Sequence, residues 1–356
     1  MKNLLPDTVS YDEEKNELVI VDQTKLPSAV EMLRLSTIND IYLAIKSLAV
    51  RGAPAIGVAA AYAVYIAALS IDTDDTAVFA ADLKKAEDFI NSARPTAVNL
   101  SWAIGEMDKI VSISSGLTVS RIKALLYRRA KEIKDNEIIS SVAIGKYGLE
   151  LLPKDGTILT VCNAGHFATV RWGTATAPIY IGKQNGINFK VYSLETRPLL
   201  QGLRITAFEL QKSGVDVTAV CDNMAATLLK SGKISAVITG ADRIAANGDV
   251  CNKIGTLMLA ICAKRYGVPF YAAAPSSTVD LSIESGEKIY IEERDGSEIT
   301  ELWFKKRLAP DGVKVFNPAF DVTENDLVTA IITDKGIVKP PFTENLKKTL
   351  KNTLIV

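Results

Sequence analysis

A cysteine and an aspartate each stand just beyond a short apolar run in this chain of 356 residues. Cys162 follows the run 157–161, and Asp242 follows the run 236–241. Open parallel sheets bind ligands beyond the carboxyl ends of their strands, where small residues let the backbone approach closely. A thiol can act as a nucleophile or a base, and a carboxyl group can act as a general acid. The two segments therefore predict a catalytic pair at one edge of a sheet.

The surroundings of these two residues predict their protonation. The small residues 163–165 place Cys162 at a turn, where helix N–H groups would lower the pKa of its thiol. The apolar approach to Asp242 would leave its carboxyl group poorly solvated, which raises a carboxyl pKa and suits a general acid near neutral pH. The alternatives are core packing for Cys162, and an ion pair with Arg243 or a helix cap for Asp242. Asp222, at the end of the neighbouring run, is interpreted as a polar wall of the site.

Arginine stands beside a proline-led helix start three times, in the segments Arg51–Pro54, Arg94–Pro95 and Arg197–Pro198. Proline is favoured at the first helical position, and the free N–H groups of a helix start attract an anion. A guanidinium adds a bidentate grip on a phosphate. The alternative is a solvated or paired arginine near each helix end. Three instances beside a catalytic edge favour a phosphorylated small substrate.

A further anion site is predicted where Asn252 and Lys253 precede Gly255. These residues offer an amide, an ammonium group and the N–H groups of a helix that would begin there. The alternative is that Asn252 only caps this helix.

The composition limits the partners of the chain. Lys and Arg together number 41, as do Asp and Glu, so there is no basic field that would attract nucleic acid. The apolar run 55–69 is shorter than the ~18 residues that a membrane span needs. Residues 1–7 lack the apolar core of a signal peptide. We expect a cytoplasmic protein that binds neither nucleic acid nor membranes.

The histidine and cysteine content limits the cofactors. One histidine, His166, cannot build a His-rich metal site, and the four cysteines lack the paired spacing of zinc or redox motifs. Neither a Walker A loop nor a G-x-G-x-x-G sequence follows a predicted strand. We therefore expect no metal and no cofactor, and chemistry carried out by side chains alone.

The elements that position these residues are predicted from two hydrophobic periods. Residues 8–35 alternate between polar and apolar types, which predicts a small antiparallel hairpin or meander. Apolar residues then recur at spacings of three and four. This period predicts helices over 41–50, 54–70, 75–93, 95–110 and 118–152. We therefore predict an α-rich N-terminal domain with a small β element over residues 1–152.

β-branched runs alternate with helices after residue 153, which is typical of βαβ units in a parallel sheet covered on both faces. Strands are predicted over 157–162, 188–194, 215–221, 235–240 and 268–274, with later strands at 290–293 and 327–333. Helices are predicted over 199–213, 224–230 and 255–266. The fold class is therefore α/β, with a Rossmann-like parallel-sheet catalytic domain over residues 153–356.

Nine segments of the chain together resemble the methylthioribose-1-phosphate isomerase family. They are Arg51-Gly-Ala-Pro-Ala-Ile-Gly57, Arg94-Pro-Thr96 with Asn99, Cys162-Asn-Ala-Gly165, Glu195-Thr-Arg-Pro-Leu-Leu-Gln-Gly202, Asp222-Asn-Met224, Gly240-Ala-Asp-Arg-Ile-Ala-Ala-Asn-Gly248, Asn252-Lys-Ile-Gly255, Ala274-Pro275 with Ser277-Thr278 and Asp280, and Ile291-Glu-Glu-Arg294. These matches occur in order along nearly the whole chain, so the chain is identified as a member of this family.

The resemblance implies an aldose–ketose isomerase that converts 5-methylthioribose 1-phosphate to 5-methylthioribulose 1-phosphate in methionine salvage. It implies that Asp242 is the proton donor and that Cys162 supports the transition state. It also implies a homodimer with an α-rich N-terminal domain and a Rossmann-like C-terminal domain, without cofactor or metal. Substrate contacts are implied at Arg51, Gly52, Ala53, Arg94, Gln201, Asn252 and Lys253.

The implied reaction must open the sugar ring first, and a protonated Asp242 could give its proton to the ring oxygen. Hydrogen then moves from C2 to C1, either as a proton through a Cys162 thiolate or as a hydride in a dry pocket. The sequence leaves both routes open.

The chain departs from the family pattern beside the thiol. Val161 stands where the family has histidine, and the pairs His166-Phe167 and Arg171-Trp172 stand where smaller residues are usual. We predict that these changes reshape the pocket for the sugar's 5-substituent, which makes 5-deoxyribose-1-phosphate isomerase a rival activity. Ribose-1,5-bisphosphate isomerase is a weaker rival, for which Arg171 or Arg197 would supply a second phosphate grip.

A rival of another class is a regulatory subunit of the translation-initiation nucleotide exchange factor. Those subunits share the implied fold and bind partners without isomerising sugars, but they resemble the family less well at the catalytic cysteine and aspartate. The presence of Cys162, Asp242, Arg51 and Arg94 in this chain favours the enzyme. An unrelated Rossmann-like binding protein would leave the catalytic pair unexplained.

Overall fold

The computed structural model describes residues 5–95 and 97–351, and its strands and helices are numbered here in chain order. The chain begins with a three-stranded antiparallel sheet in the order β1-β2-β3, which confirms the predicted meander. Its central strand is nearly all buried, because its apolar residues face the helices that follow. The strands are β1 (Val9–Asp12), β2 (Glu17–Val21) and β3 (Met32–Leu35).

Five helices follow, with bounds within a few residues of the predicted ones. α2 is their core helix, since its alanines let α1, α3, α4 and α5 pack closely around it. At 18 residues α2 is longer than the apolar run in the sequence and could cross a membrane by length and composition alone, but it is mostly buried inside the protein. The helices are α1 (Ile38–Lys46), α2 (Ala53–Ser70), α3 (Thr76–Asn91), α4 (Val98–Ser112) and α5 (Val119–Leu151).

α5 is 33 residues long and contributes to two cores. Leu126 and Ile133 join the core of the helical part, whereas Ile144 joins a core built on the large sheet. Gly148 allows this second contact, because a Cβ there would lie 2.3 Å from a side-chain atom of Pro178. The division of the chain after residue 152 therefore stays a prediction, since one helix packs on both parts.

A seven-stranded sheet forms the second part in the order β14-β13-β10-β7-β4-β5-β6, and only β14 is antiparallel to its neighbour. The chain winds from β4 out to β6 and then returns to place β7 on the other side of β4. This reversal is the switch point at which doubly wound sheets bind ligands. The Rossmann-like prediction is confirmed. The strands are β4 (Thr157–Thr160), β5 (Lys190–Leu194), β6 (Asp216–Val220), β7 (Ala236–Thr239), β10 (Phe270–Ala273), β13 (Ala330–Thr333) and β14 (Gly336–Val338).

A smaller four-stranded sheet, in the order β11-β8-β9-β12, was not predicted. Its strands have two to four residues, too few to show a period in the sequence. The predicted strand at 290–293 is wrong, because Glu293 forms only an isolated bridge with Pro318. The strands are β8 (Arg243–Ala245), β9 (Val250–Lys253), β11 (Val279–Asp280) and β12 (Phe320–Thr323).

Helices cover the strands of the large sheet. The helix predicted over 199–213 is interrupted, because residues Gly202–Thr206 form a π-helical turn before α7 begins. A Cβ at Gly202 would lie 1.7 Å from the carbonyl oxygen of Leu194, so this turn rests directly on the end of β5. α6, α10 and α11 were not predicted. The helices are α6 (Ala177–Gln184), α7 (Ala207–Lys212), α8 (Ala225–Lys230), α9 (Thr256–Arg265), α10 (Ser297–Thr300) and α11 (Phe342–Lys351).

Candidate active site

The nine residues predicted for catalysis and substrate binding all line one cavity, beside the carboxyl ends of β4 and β7. The cavity measures about 780 Å³ including its open mouth. The helical part contributes the start of α2 and the segment before α4, and the two sheets contribute the rest. The nine are Arg51, Gly52, Ala53, Arg94, Cys162, Gln201, Asp242, Asn252 and Lys253.

Backbone hydrogen bonds fix Cys162 just beyond β4. Its N–H donates to Thr196 Oγ1 at 2.7 Å, and its carbonyl accepts the hydroxyl of Thr206 at 2.6 Å. Cys162 has a φ of +63°, a left-handed conformation that is uncommon for a residue with a side chain. Asp222 accepts the N–H groups of Thr196 and Arg197 at 2.8 and 2.7 Å. The prediction that Asp222 forms a wall of the site is wrong, because it caps the loop that holds Cys162.

The predicted lowering of the pKa of Cys162 is wrong in direction. Burial raises the pKa of the thiol, and the charges of Arg51 and Lys253 only partly oppose this shift. The turn after Cys162 supplies a three-residue 3-10 helix, His166–Ala168, and not an α-helix start that would favour a thiolate. Cys162 therefore enters the cavity as a neutral thiol near pH 7.

The predicted rise in the pKa of Asp242 is confirmed. Burial raises it, and the charges of Lys253, Arg94 and Arg51 oppose the shift. The backbone N–H of Asp242 donates to the carbonyl of Cys251 at 2.9 Å, which fixes the backbone of Asp242 where the chain passes from β7 to β8. The alternative ion pair with Arg243 is not formed, because Arg243 faces Asp280 at 3.7 Å.

Arg51 and α2 form the predicted anion site at a helix start. Gly52 is the N-cap of α2, Pro54 lies in its first turn, and no side chain caps this end. Gly52 has a φ of +92°, and a Cβ there would lie 2.4 Å from the backbone of Ala168, so only glycine fits. The guanidinium of Arg51 donates to Gln23 Oε1 at 3.0 Å and to the carbonyl and side-chain oxygens of Asn163.

The other two Arg–Pro segments do not start helices. α4 begins at Val98 with Ala97 as its N-cap, so Pro95 lies outside its first turn. Arg94 still lines the cavity, and burial lowers the pKa of its guanidinium, a shift that the charge of Asp242 opposes. Arg197 does not line the cavity and donates to the carbonyls of Pro198 and Ile299, at 3.2 and 2.9 Å.

Asn252 and Lys253 lie on β9, a strand that was not predicted, and α9 begins three residues after Lys253 at Thr256. Burial lowers the pKa of Lys253, whose ammonium group donates to the carbonyl of Ala319 at 2.7 Å and lies 4.3 Å from the ring centre of Phe320. The amide of Asn252 donates to Thr256 Oγ1 at 3.1 Å. The predicted anion site at the start of α9 is wrong, because the N–H groups of Gly255 and Leu257 already donate to Asp321.

Gln201 contributes an acceptor to the cavity. Its side chain is buried, and Oε1 has no hydrogen-bond partner among the described residues. A buried carbonyl oxygen without a donor is costly, so this atom is suited to receive a hydroxyl group of a ligand.

Several lining residues were missed in the sequence. Asn163 and Arg294 belong to the matched segments, so the resemblance could have indicated them. Phe320 lies on β12 of the small sheet, which gave no signal. Arg294 is paired with Glu292 at 3.1 Å and also with Glu298, so its charge is largely compensated. Thr96 of the matched segment lies outside the described residues.

A second cavity of about 980 Å³ adjoins the first one and shares five lining residues with it, among them Asp242 and Arg94. Its other charged lining residue is Arg243, which faces Asp280. Its remaining lining residues are mostly apolar: Gly52, Ala53, Ile56, Pro95, Ala97, Val98, Cys251, Ile289, Tyr290 and Phe320.

The residues that depart from the family pattern line neither of these two cavities. His166 is buried, and its Nε2 lies 2.8 Å from the carbonyl of Pro6. Arg171 pairs with Asp7, and Phe167 packs in a small core with Leu5. The prediction that these residues reshape the pocket is wrong, because none of them lines it. His166, Phe167 and Arg171 contact the N-terminal segment, whereas Val161 and Trp172 pack in cores on the large sheet.

The described residues, 5–95 and 97–351, contain no cluster of three or more His, Cys, Asp or Glu side chains that could hold a metal ion.

Several known proteins are similar to this chain in sequence or in structure. The model of the Initiation factor 2 subunit family matches residues 49–340. A methylthioribose-1-phosphate isomerase of Symbiobacterium thermophilum is 50% identical over 342 residues, 96% of this chain and 95% of that protein. A 5-deoxyribose 1-phosphate isomerase of Petrotoga mobilis is 50% identical over 340 residues, 96% of this chain and 98% of that protein. The crystal structure of a 5-methylthioribose 1-phosphate isomerase from Pyrococcus horikoshii has a TM-score of 0.91 and 41% identity, covering 99% of this chain and 98% of that one.

Proposed function

Because the chain belongs to the Initiation factor 2 subunit family, and within it to the methylthioribose-1-phosphate isomerase family, we propose that it is an aldose–ketose isomerase of a pentose 1-phosphate. The proposed reaction converts 5-methylthioribose 1-phosphate to 5-methylthioribulose 1-phosphate, a step of methionine salvage. One observation carries the proposal: a half-buried thiol and a half-buried carboxyl group share a cavity with three cationic side chains besides Arg294, which is paired with acids. These cations are Arg51, Arg94 and Lys253.

The proposed phosphate position lies at the start of α2. The N–H groups of its first turn and the guanidinium of Arg51 favour a dianion there. Arg94 and Lys253 add positive charge on the side of Asp242. Burial lowers the pKa of both cations because it desolvates their charged forms, and a phosphate beside them would stabilise these charged forms.

Asp242 is the proposed general acid. Since burial raises its pKa, a larger fraction of the carboxyl group keeps its proton as the pH approaches neutrality. Transfer of that proton to the ring oxygen breaks the bond between this oxygen and C1. The resulting carboxylate is then placed to accept the proton of the C2 hydroxyl as C2 becomes a carbonyl carbon.

Cys162 is the proposed residue beside the migrating hydrogen. A neutral thiol is a poor base, so the raised pKa of Cys162 favours transfer of hydrogen from C2 to C1 as a hydride. The hydrogen leaves C2 with its bonding electrons and adds to the electron-poor C1, while the C2 hydroxyl loses its proton to Asp242. In this proposal the thiol excludes water from the migrating hydrogen and lies against the charge that develops at C1 and C2.

The second cavity supports a small apolar 5-substituent. Its lining is mostly apolar, and Arg243 in it already faces Asp280. A methylthio group or a methyl group would lose little solvation there, whereas a second phosphate would be desolvated with few compensating charges. Neither Arg171 nor Arg197 lines the two cavities, so the second phosphate grip predicted from the sequence is not supplied by them. The chain is 50% identical to a 5-deoxyribose 1-phosphate isomerase, as it is to a methylthioribose-1-phosphate isomerase, and this supports 5-deoxyribose 1-phosphate as the alternative substrate.

A turnover panel tests the proposal. The 1-phosphates of 5-methylthioribose, 5-deoxyribose and ribose, and ribose 1,5-bisphosphate, are assayed with the wild-type chain. We expect kcat/KM to be highest for the first two compounds and at least tenfold lower for the bisphosphate. Asp242→Asn and Cys162→Ser should fold normally and lose at least 100-fold in kcat. Near-wild-type turnover by Asp242→Asn would show that the acid is another residue.

Absence of turnover on the whole panel would favour the rival class, a regulatory binding protein of the same family.

We propose in addition that the chain forms a homodimer and works in the cytoplasm, as expected from the sequence.

A further inference from the structure

Beneath the loop that carries Cys162 lies a buried carboxylate that the proposed reaction does not use. Glu209, on α7, has no exposed surface. Its Oε1 accepts the N–H of His166 at 2.9 Å and the hydroxyl of Tyr180 at 3.2 Å. Its Oε2 accepts the amide of Asn163 at 3.1 Å and the N–H of Phe167 at 3.2 Å. Four donors on two oxygens are the complement of an ionised carboxylate, which can only accept.

The amide of Asn163 connects this carboxylate to the cavity. Its Nδ2 donates to Glu209 and to Thr206, and its Oδ1 accepts the guanidinium of Arg51. A carboxylate only accepts and a guanidinium only donates, so no other orientation of the amide satisfies both neighbours. The side chains of Glu209, Asn163 and Arg51 therefore form one directional chain of hydrogen bonds that ends in the cavity.

Gly165 shows how closely the loop is fitted to this carboxylate. A Cβ at Gly165 would lie 1.5 Å from Glu209 Oε1, so any side chain there would displace the carboxylate or the loop. Glycine at position 165 therefore leaves the space that the carboxylate of Glu209 occupies.

We infer that Glu209 is a positioning residue for the anion site: through the amide of Asn163 it holds the guanidinium of Arg51 in the orientation that receives the substrate's phosphate. The inference rests on the proposed function, which assigns the phosphate to Arg51. When Glu209 takes up a proton, one oxygen becomes a donor and can no longer accept both of its partners. The amide of Asn163 then loses its fixed orientation, and anion affinity falls.

The chain of contacts makes this loss dependent on pH. Burial raises the pKa of Glu209 to about 7. The contribution of Glu209 to anion affinity is therefore complete only well above pH 7, and it decreases as the pH falls through that value. His166 and Tyr180 also face the carboxylate, but burial lowers the pKa of His166 to about 4 and raises the pKa of Tyr180 well above its usual value, so neither changes charge between pH 6 and pH 8. Protonation of Asp242 or Lys253 strengthens anion binding in acid. A comparison of two variants at each pH cancels these other groups, because both variants keep them.

Calorimetric titration with inorganic sulfate, a dianion throughout the range used, tests the inference in Glu209→Gln and wild-type chains at pH 8 and pH 6. We expect the variant to bind sulfate about tenfold more weakly at pH 8, the size of one lost charge-assisted hydrogen bond. We expect the ratio of the two affinities to fall to about twofold at pH 6, where the wild-type carboxylate is largely protonated. Equal affinity of both chains at pH 8 overturns the inference.

Glu137→Gln is the matched control. Glu137, on α5, is also a carboxyl group whose pKa burial raises to about 7, and it accepts Val170 N–H and Ser141 Oγ, both at 2.8 Å. It lines neither of the two cavities at Asp242, so its variant should bind sulfate like the wild-type chain.

A double-mutant cycle separates positioning from a general loss of structure. In an Asn163→Ala background the further change Glu209→Gln should alter sulfate affinity less than twofold, because the connecting amide is gone. An undiminished tenfold effect there contradicts the path through Asn163. If Glu209→Gln does not fold, Asn163→Ala alone is measured, and unchanged sulfate affinity then overturns the inference.

Sulfate binding is independent of turnover, so the two proposals fail separately. A wild-type chain that binds sulfate but converts no sugar phosphate loses the proposed function and keeps this inference. A wild-type chain that binds no sulfate overturns the anion site and the role of Glu209 with it.

Discussion

At the scale of single residues, Arg94 links substrate binding to the proton donor. Its charge attracts a phosphate and also opposes the rise in the pKa of Asp242. Arg94→Ala should therefore raise KM by about tenfold or more. The loss of its charge should also raise the pKa of Asp242 further. Because the acid form of Asp242 is the active one, the fall in kcat on the alkaline side should move to higher pH.

Steady-state kinetics between pH 5 and pH 10 measure both effects. Arg171→Ala is the matched control, since that arginine pairs with Asp7 and lines neither cavity. An alkaline limb that stays in place in Arg94→Ala would mean that a group other than Asp242 sets it.

The route of the hydrogen is a second prediction at this scale. With deuterium at C2 of the substrate, the hydride route delivers the label to C1 of the product without exchange. We expect most of the product to keep the label in ordinary water, because the raised pKa of Cys162 disfavours a thiolate that would exchange with solvent. Mass spectrometry of the product reports the label, and the unlabelled substrate in D2O is the reciprocal control. Solvent hydrogen in most of the C1 positions would assign the transfer to an exchanging base.

The nine residues predicted for the site line one cavity, but Asn163, Arg294 and Phe320 were missed, and the direction of the pKa shift was predicted correctly for Asp242 and wrongly for Cys162. Cys162 was expected beside helix N–H groups, and the structure gives it a buried turn whose effect on the pKa is opposite. Whether a polar side chain is solvated depends on residues distant in sequence, such as Thr196 and Thr206 around Cys162. No pattern local to Cys162 contains that information.

At the scale of elements, α3 carries a buried acid that should lower the stability of the helical part. Glu87 is 1% exposed, and burial raises its pKa to about 7. The folded chain thus binds the proton of Glu87 more tightly than the unfolded chain does. This difference stabilises the folded chain fully below the unfolded pKa of ~4.3, and the stabilisation is lost as the pH rises through about 7. Glu87→Gln should therefore raise the free energy of unfolding by about 2 kcal/mol at pH 8, and by much less at pH 5.

Urea unfolding at the two pH values measures this difference. Asp88→Asn, one residue along the same helix with its side chain 70% exposed, is the control and should change little. A gain for Glu87→Gln that is equal at both pH values would point to packing and not to ionisation.

Element prediction succeeded where a period was long enough to be read. The helices α1 to α5 and the core strands of the large sheet carry repeated patterns over several turns or strands. The small sheet was not predicted because β8 and β11 have only three and two residues, which form strands by pairing with each other and not through a period in the sequence. The prediction of helix starts at Arg94–Pro95 and Arg197–Pro198 is wrong for a related reason. Proline suits several kinds of turn, and only tertiary contacts select one of them.

At the scale of the whole molecule, the homodimer remains a prediction with a candidate surface. β6 is an edge strand of the large sheet with Asp216, Thr218 and Ala219 exposed. Leu203 and Met224, both more than 40% exposed, lie on neighbouring segments. An open strand edge beside apolar side chains is a surface that a partner would cover.

Light scattering after gel filtration should give twice the mass of one chain. The double variant Leu203→Glu, Met224→Glu should shift this mass toward that of a single chain. A wild-type chain that is monomeric at micromolar concentration contradicts the prediction.

The pairing of β4 with β7 bears on catalysis and on phosphate binding in different ways. Cys162 and Asp242 are anchored to adjacent strands of one hydrogen-bonded ladder, whereas Arg51 and Arg94 come from the helical part. A descendant of this chain could replace the thiol and the acid and still hold a sugar phosphate, since Arg51 and Arg94 reach the cavity from outside these two strands. Ligand sensing without chemistry is thus only two substitutions away in this architecture, and a sensor so formed would need no new binding site.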